Sequence, residues 1–164
     1  MCKEGTTLIE LVVVMAGFMI LVLLGGQFVS TVQRVTARTE LGLLALTIRT
    51  EQQTALLTGA ERVITFKKDM SGYATHTSTH TFQKGIVFGA PLGALGSPSD
   101  PRKLIKKPVT FIDNTLVCYP QGTIQAGTIY LADPRHNQYY ALTSGVARYS
   151  FLRLYQYRLN WVSL

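Results

Sequence analysis

The sequence predicts an α+β fold, in which a long N-terminal helix with a membrane-spanning first half packs on an antiparallel β-sheet or sandwich. Three observations lead to this prediction. No proline occurs between Thr6 and Leu57, residues 11–33 carry no charge, and the chain after about residue 58 alternates short apolar runs with turn residues. An uncharged apolar run of this length suits a membrane-spanning helix, and short alternating runs indicate strands.

The predicted helix has two halves of different character. Residues 6–33 are apolar on every side, whereas residues 34–58 combine an apolar face with charged residues that lie mostly elsewhere on the helix, namely Arg38, Glu40, Arg49 and Glu51. The apolar face of this second half consists of Ala37, Leu41, Leu44, Ala45, Ile48 and Ala55. We therefore expect the first half to suit lipid or a filament core, and the second half to pack on a globular head.

The head is predicted to span residues 59–164 and to begin after Gly59, which favours a left-handed helix cap. Strands are predicted at 63–66, 73–79, 81–83, 86–88, 109–112, 116–119, 127–131 and 138–142, and in the aromatic run 148–162. Residues 89–108 are rich in Gly, Pro and Ser, and are predicted to form the longest loop.

Charge and cysteine content set broad limits on function. The net charge of +7 permits contact with anionic lipid, nucleic acid or an acidic protein, without choosing among them. The two cysteines are Cys2, close to the N-terminus, and Cys118, in an apolar strand-like run. Cys118 is most simply a small core residue.

The most informative segment of the chain is Gly5-Thr6-Thr7-Leu8-Ile9-Glu10-Leu11. A short polar leader ends at Gly5, and Glu10 is the only charge between Glu4 and Arg34. A carboxylate in so apolar a run is costly, which suggests a specific role and a partner. Two other interpretations of this N-terminus remain open. One is a secretory signal peptide cut near Gly25-Gly26, and the other is a plain single-span anchor.

This segment resembles the processing signal of type IV pilins and the related pseudopilins. The resemblance implies a leader at residues 1–5, cleavage between Gly5 and Thr6 by a prepilin peptidase, and N-methylation of Thr6. It also implies that Glu10, the fifth residue of the mature chain, serves filament assembly. This chain has threonine where the family usually has phenylalanine after the cut, and Glu4 offsets the leader's Lys3.

The C-terminal half resembles the H-type minor pseudopilins and the FimT-like minor pilins. The similarity lies in Tyr119-Pro120-Gln121-Gly122-Thr123, in Gly127-Thr128-Ile129-Tyr130-Leu131, and in Gly145-Val146-Ala147-Arg148, where the family often shows Gly-Arg-x-Arg. The resemblance implies a pilin-like fold and a minor subunit at or near the tip of a type II secretion or type IV pilus filament, where it helps to initiate assembly. It further implies a single-pass bacterial inner-membrane precursor with a periplasmic head. The implied partners are the prepilin peptidase, other pilins or pseudopilins, and the inner-membrane assembly platform.

In such a filament, Glu10 can form a charge pair with a neighbouring subunit. The amine of a neighbouring subunit can neutralise its carboxylate, and a charge pair in apolar surroundings can set the axial register between subunits. The simpler alternative is an acid that complements the positive end of the helix or lies at the lipid interface.

The tail interleaves Arg148, Arg153 and Arg158 with aromatic residues. This pattern suits nucleic-acid binding, with arginines on phosphates and rings on bases, so a DNA-binding minor pilin of a DNA-uptake pilus is the alternative function. Lys103, Lys106 and Lys107, in the predicted long loop, either enlarge such a basic patch or only keep the loop soluble. The simpler alternative is a pair of final strands with aromatic residues in the core and arginines in solvent.

The sequence predicts neither an enzyme nor a cofactor. No arrangement of nucleophile and base, phosphate-binding glycine loop or metal-ligand cluster is evident. His76 and His80 are four residues apart, but they lie in a strand-like segment without neighbouring cysteines or carboxylates, so they are interpreted as surface residues.

Overall fold

The computed structural model describes the backbone of residues 8–91, 95–98, 100–145 and 150–164, with side chains described in most of these ranges. The chain divides into two compact units, Met1–Val35 and Thr36–Leu164. One helix, α1, covers Leu8–Thr58. It ends at Gly59, whose φ of 65° gives the left-handed cap that the sequence predicts.

Eleven strands follow the helix in the described part of the chain. They are β1 (Arg62–Phe66), β2 (Gly72–Ala74), β3 (Thr79–Thr81), β4 (Val87–Phe88), β5 (Leu95–Ser97), β6 (Asp100–Leu104), β7 (Thr115–Cys118), β8 (Gly127–Asp133), β9 (Gln138–Gly145), β10 (Phe151–Tyr157) and β11 (Trp161–Ser163). Two short 3-10 turns lie at Ile112–Asn114 and Pro134–His136.

The strands form antiparallel sheets. The first sheet has the order β3-β2-β1-β7, and the second has the order β11-β10-β9-β8-β4. Within the described ranges, β5 and β6 pair with each other and with no other strand. It lies within residues 89–108, so the prediction of a structureless loop there is wrong. Gly96 and Pro101 interrupt any alternation in this segment, which explains why it has no strand signature.

The core of the second unit lies between the helix and the sheets. All six residues of the predicted apolar face, from Ala37 to Ala55, are buried, and Arg38 and Arg49 are exposed. The sheets contribute an aromatic cluster in which Phe82 and Phe88 pack edge to face at 4.8 Å between ring centroids. The prediction is wrong for Glu40 and Glu51, which are buried although their charge favours the solvent face of the helix.

The prediction of a membrane-spanning first half is wrong. Among the residues that the structure describes, no helix combines the length and the hydropathy that a membrane crossing requires. This finding also overturns the inferred single-pass inner-membrane location.

Candidate functional site

The N-terminal motif is only partly within the described structure. Gly5 and Thr6 lie outside the described residues, whereas Glu10 is an exposed residue in the first turn of α1. A carboxylate at this position interacts favourably with the positive end of the helix dipole.

The surface around Glu10 is apolar on every side of the helix. Side chains with 56% to 74% exposure are Ile9, Leu11, Val12, Val13, Val14, Met15, Phe18, Met19, Ile20, Leu21 and Val22. Isolated exposed apolar side chains are ordinary, but a continuous surface of this kind marks an interaction site.

The basic tail is the second candidate, and strand β10 determines its geometry. Because side chains alternate along a strand, Phe151, Arg153 and Tyr155 share one face. Leu152 and Leu154, on the other face, pack against the core. The alternative that placed the aromatic residues of this strand in the core therefore does not describe Phe151, which remains exposed.

The face of β10 that carries Arg153 forms one side of a groove of about 920 Å³. The hairpin β5-β6 and the segment that follows it also line this groove, and they contribute Lys103, Lys106 and Lys107. The structure thus brings together Arg153 and the three lysines that the sequence suggested for a basic patch. Arg158 does not line the groove, and Arg148 lies outside the described residues.

The floor of the groove is formed by β8 and β9, which contribute Thr128, Tyr130, Thr143 and Ser144. These side chains are nearly buried, and burial raises the pKa of the Tyr130 hydroxyl. Gly145 pairs with Phe151 across β9 and β10, and its lack of a side chain leaves room for the phenylalanine ring.

A specific contact ties the hairpin to the rest of the second unit. The indole N–H of Trp161 donates a hydrogen bond of 2.9 Å to the carbonyl oxygen of Gly96. The Trp161 ring also packs against Tyr130 and Tyr157, with centroid distances of 5.6 and 5.2 Å. Residues from three separate parts of the chain therefore hold the groove in shape.

The charge of the groove favours an anionic ligand. Four cationic side chains line it, and Asp100 is the one carboxylate among its lining residues. Asp100 also accepts a hydrogen bond of 3.1 Å from the backbone N–H of Arg102, which satisfies part of its acceptor capacity within the hairpin. Arg153 stacks over the Phe151 ring at 4.6 Å, and this contact orients its guanidinium group.

Two histidine–carboxylate pairs lie elsewhere in the second unit. His80 pairs with Glu40 and His136 pairs with Asp133, both at 2.8 Å. His76 is exposed and does not join His80. Within the described ranges, no three His, Cys, Asp or Glu side chains are grouped so as to hold a metal ion.

Sequence reasoning found the cations of the groove but missed the structure that positions them. Its signal was the basic and aromatic alternation of residues 151–158, whereas the hairpin opposite has no comparable pattern. The role of Trp161 depends on a contact across 65 residues of sequence, which no local pattern reveals.

Comparisons with protein-family models, curated proteins and solved structures give no significant match to this chain.

Proposed function

We propose that this chain is a minor pilin or minor pseudopilin, trimmed between Gly5 and Thr6 by a prepilin peptidase. It joins a type II secretion or type IV pilus filament at or near its tip and helps to initiate assembly. Its partners are other pilin-like subunits and the assembly platform. The observation that carries the proposal is the apolar surface of α1 with Glu10 as its one carboxylate between Leu8 and Val22.

The exposed apolar surface of α1 is costly in water. Exposed apolar area carries a free-energy penalty of about 25 cal/mol per Å², so a helix that is apolar on every side needs to be surrounded. Equivalent helices from other subunits supply such surroundings, because they present the same apolar surface. We propose that the helices of neighbouring filament subunits cover this apolar surface.

Glu10 then determines how the helices align. A carboxylate among packed apolar helices requires a cationic partner, and cleavage before Thr6 creates a new amine only four residues away in sequence. In a staggered bundle, the amine of one subunit lies beside the carboxylate of the next. Breaking such a buried pair is strongly destabilising, so the pair selects one axial register.

Intact mass spectrometry of the protein isolated from cells with an active prepilin peptidase tests the proposal. We expect loss of residues 1–5, with or without a methyl group on Thr6, and no loss in a Gly5→Leu variant. An uncut wild-type chain, or a cut near Gly26, would overturn the filament proposal.

A second experiment tests the role of Glu10 separately from cleavage. Glu10→Gln keeps the size of the side chain and removes its charge. We expect normal trimming but reduced cross-linking to other subunits, because the amine then lacks its partner. The matched control is Glu61→Gln, which neutralises an exposed carboxylate in the second unit. Equal cross-linking of both variants would contradict the proposed role.

A second candidate function is DNA binding by a minor pilin of a DNA-uptake pilus. The observation that favours it is the groove, because Arg153, Lys103, Lys106 and Lys107 converge there. Binding through phosphates weakens steeply with salt. The test is salt-dependent binding of DNA to the full chain, and its loss when these cations are removed.

A further inference from the structure

We infer that the groove between the hairpin β5-β6 and strand β10 binds a single strand of nucleic acid, not a duplex. This inference rests on the second candidate function, and it specifies both the form of the ligand and the residues that hold it. The groove replaces the arginine-rich tail as the site, since Arg158 does not line it.

The concave shape of the groove favours a single strand over a duplex. A duplex is read by elements that protrude into its grooves, such as a helix or a two-stranded ribbon. Here the cationic residues line a concave groove of about 920 Å³, whose volume is at the upper end of the range for small-ligand sites. A concave cationic groove that follows the backbone is typical of proteins that bind single strands.

The side chains that line the groove fall into two chemical groups. Lys103, Lys106 and Lys107 lie on the hairpin side, where they can neutralise phosphates. Strand β10 contributes Tyr155, whose ring offers a stacking surface to a base, and Arg153, whose guanidinium group already lies over the Phe151 ring. A duplex hides the faces of its bases, so the stacking surface of Tyr155 is of use only with a single strand.

The floor of the groove supports the same conclusion. The hydroxyl of Thr110 accepts a hydrogen bond from the backbone N–H of Thr128, and Ser144 donates to the carbonyl oxygen of Gln125. Because these polar groups already have partners within the protein, the floor offers little base-specific recognition. We therefore expect binding that tolerates any sequence.

Fluorescence anisotropy with the full chain in a mild detergent tests the inference. The probes are a thymidine single strand of about 12 nucleotides, within the usual site size, and a duplex of equal length. We expect tight binding of the single strand and at least tenfold weaker binding of the duplex. Polyglutamate serves as an unlabelled competitor, and we expect it to displace the strand poorly.

Substitutions separate the phosphate contacts from the stacking contacts. Each of Lys103→Ala, Lys106→Ala, Lys107→Ala and Arg153→Ala should reduce the slope of log affinity against log salt by about 0.7. Tyr155→Leu should lower affinity on the order of tenfold and leave the slope unchanged, because it removes a ring and no charge. Lys68→Ala and Arg158→Ala are the charge-matched controls, and neither should change affinity.

The outcomes distinguish this inference from the proposals on which it depends. Equal affinity for duplex and single strand overturns the single-strand assignment and leaves DNA binding intact. Loss of binding in Arg158→Ala, with the groove variants unaffected, overturns the groove as the site. Equal displacement by polyglutamate overturns a nucleic-acid ligand in favour of an acidic polypeptide. Absence of binding to either probe at low salt overturns both this inference and the second candidate, and the cleavage experiment still decides the filament proposal.

Discussion

The carboxylate of Glu40 and the imidazole of His80 join helix α1 to β3, the edge strand of the first sheet. Glu40 Oε2 lies 2.8 Å from His80 Nε2, and Oε1 accepts a hydrogen bond of 3.3 Å from the backbone N–H of Gln83. The Glu40 side chain is only 6% exposed, whereas that of His80 is 31% exposed. Both oxygens of a nearly buried carboxylate are therefore used to hold an edge of the sheet on the helix.

Removing the imidazole should destabilise the second unit. His80→Ala leaves a buried carboxylate without one of its partners, which costs about 1–3 kcal/mol in the free energy of unfolding. His76→Ala changes an exposed histidine nearby, so its effect should remain within about 0.5 kcal/mol. Urea unfolding of both variants measures the difference, and equal losses would show that the pair contributes nothing.

Two glycines should respond in opposite ways to the same change. A Cβ added at Gly127 would lie 2.5 Å from the Phe111 ring, so Gly127→Ala overpacks the core and costs about 1–3 kcal/mol. Nothing lies within 4 Å of the corresponding position at Gly42 in α1, so Gly42→Ala should stabilise the helix by about 0.5–1 kcal/mol. Thermal unfolding of the two variants checks both signs. A stabilising Gly127→Ala would contradict the packing described for Phe111.

Alkaline pH should destabilise the second unit through Cys118. Burial, aided by the negative charge of Glu51, raises the pKa of the Cys118 thiol from 9.0 to about 12. The unfolded chain therefore loses this proton first, and the stability that is complete below pH 9 declines as the pH rises towards 12. Burial also raises the pKa of Tyr73, which acts in the same direction.

Urea unfolding at several pH values measures this decline. Cys118→Ala should reduce its steepness between pH 9 and 12, because the thiol no longer contributes. In a Cys2→Ser background, a thiol reagent at pH 8 should leave the native protein unmodified and label Cys118 only after unfolding. Rapid labelling of the native protein would show that the thiol is accessible.

Local patterns predicted those features that depend on neighbouring residues. The buried face of α1 follows from its period. The interpretation that separated the aromatic residues of the tail from its arginines did not anticipate that Phe151, Arg153 and Tyr155 share one face. The burial of Glu40 does not, because its partner His80 lies 40 residues further along the chain. The hairpin β5-β6 was missed for the same reason, since Trp161 anchors it from a distant strand. The prediction of a membrane span relied on the uncharged apolar run of residues 11–33. No helix among the described residues has the length and hydropathy that a span requires.

Trp161 should control the position of the hairpin that carries Lys103. Trp161→Phe keeps an aromatic ring against Tyr130 but removes the N–H that donates to Gly96. Loss of this neutral hydrogen bond costs about 0.5–1.5 kcal/mol, so the second unit should stay folded while the hairpin opens more often. Limited trypsin digestion, followed by mass spectrometry, should show faster cleavage after Arg102 and Lys103. Val162→Ala is the control, because Val162 is exposed on the same strand. Unchanged cleavage in Trp161→Phe would mean that the pairing of β5 with β6 holds the hairpin without the tryptophan, and the affinity for a single strand should then also be unchanged.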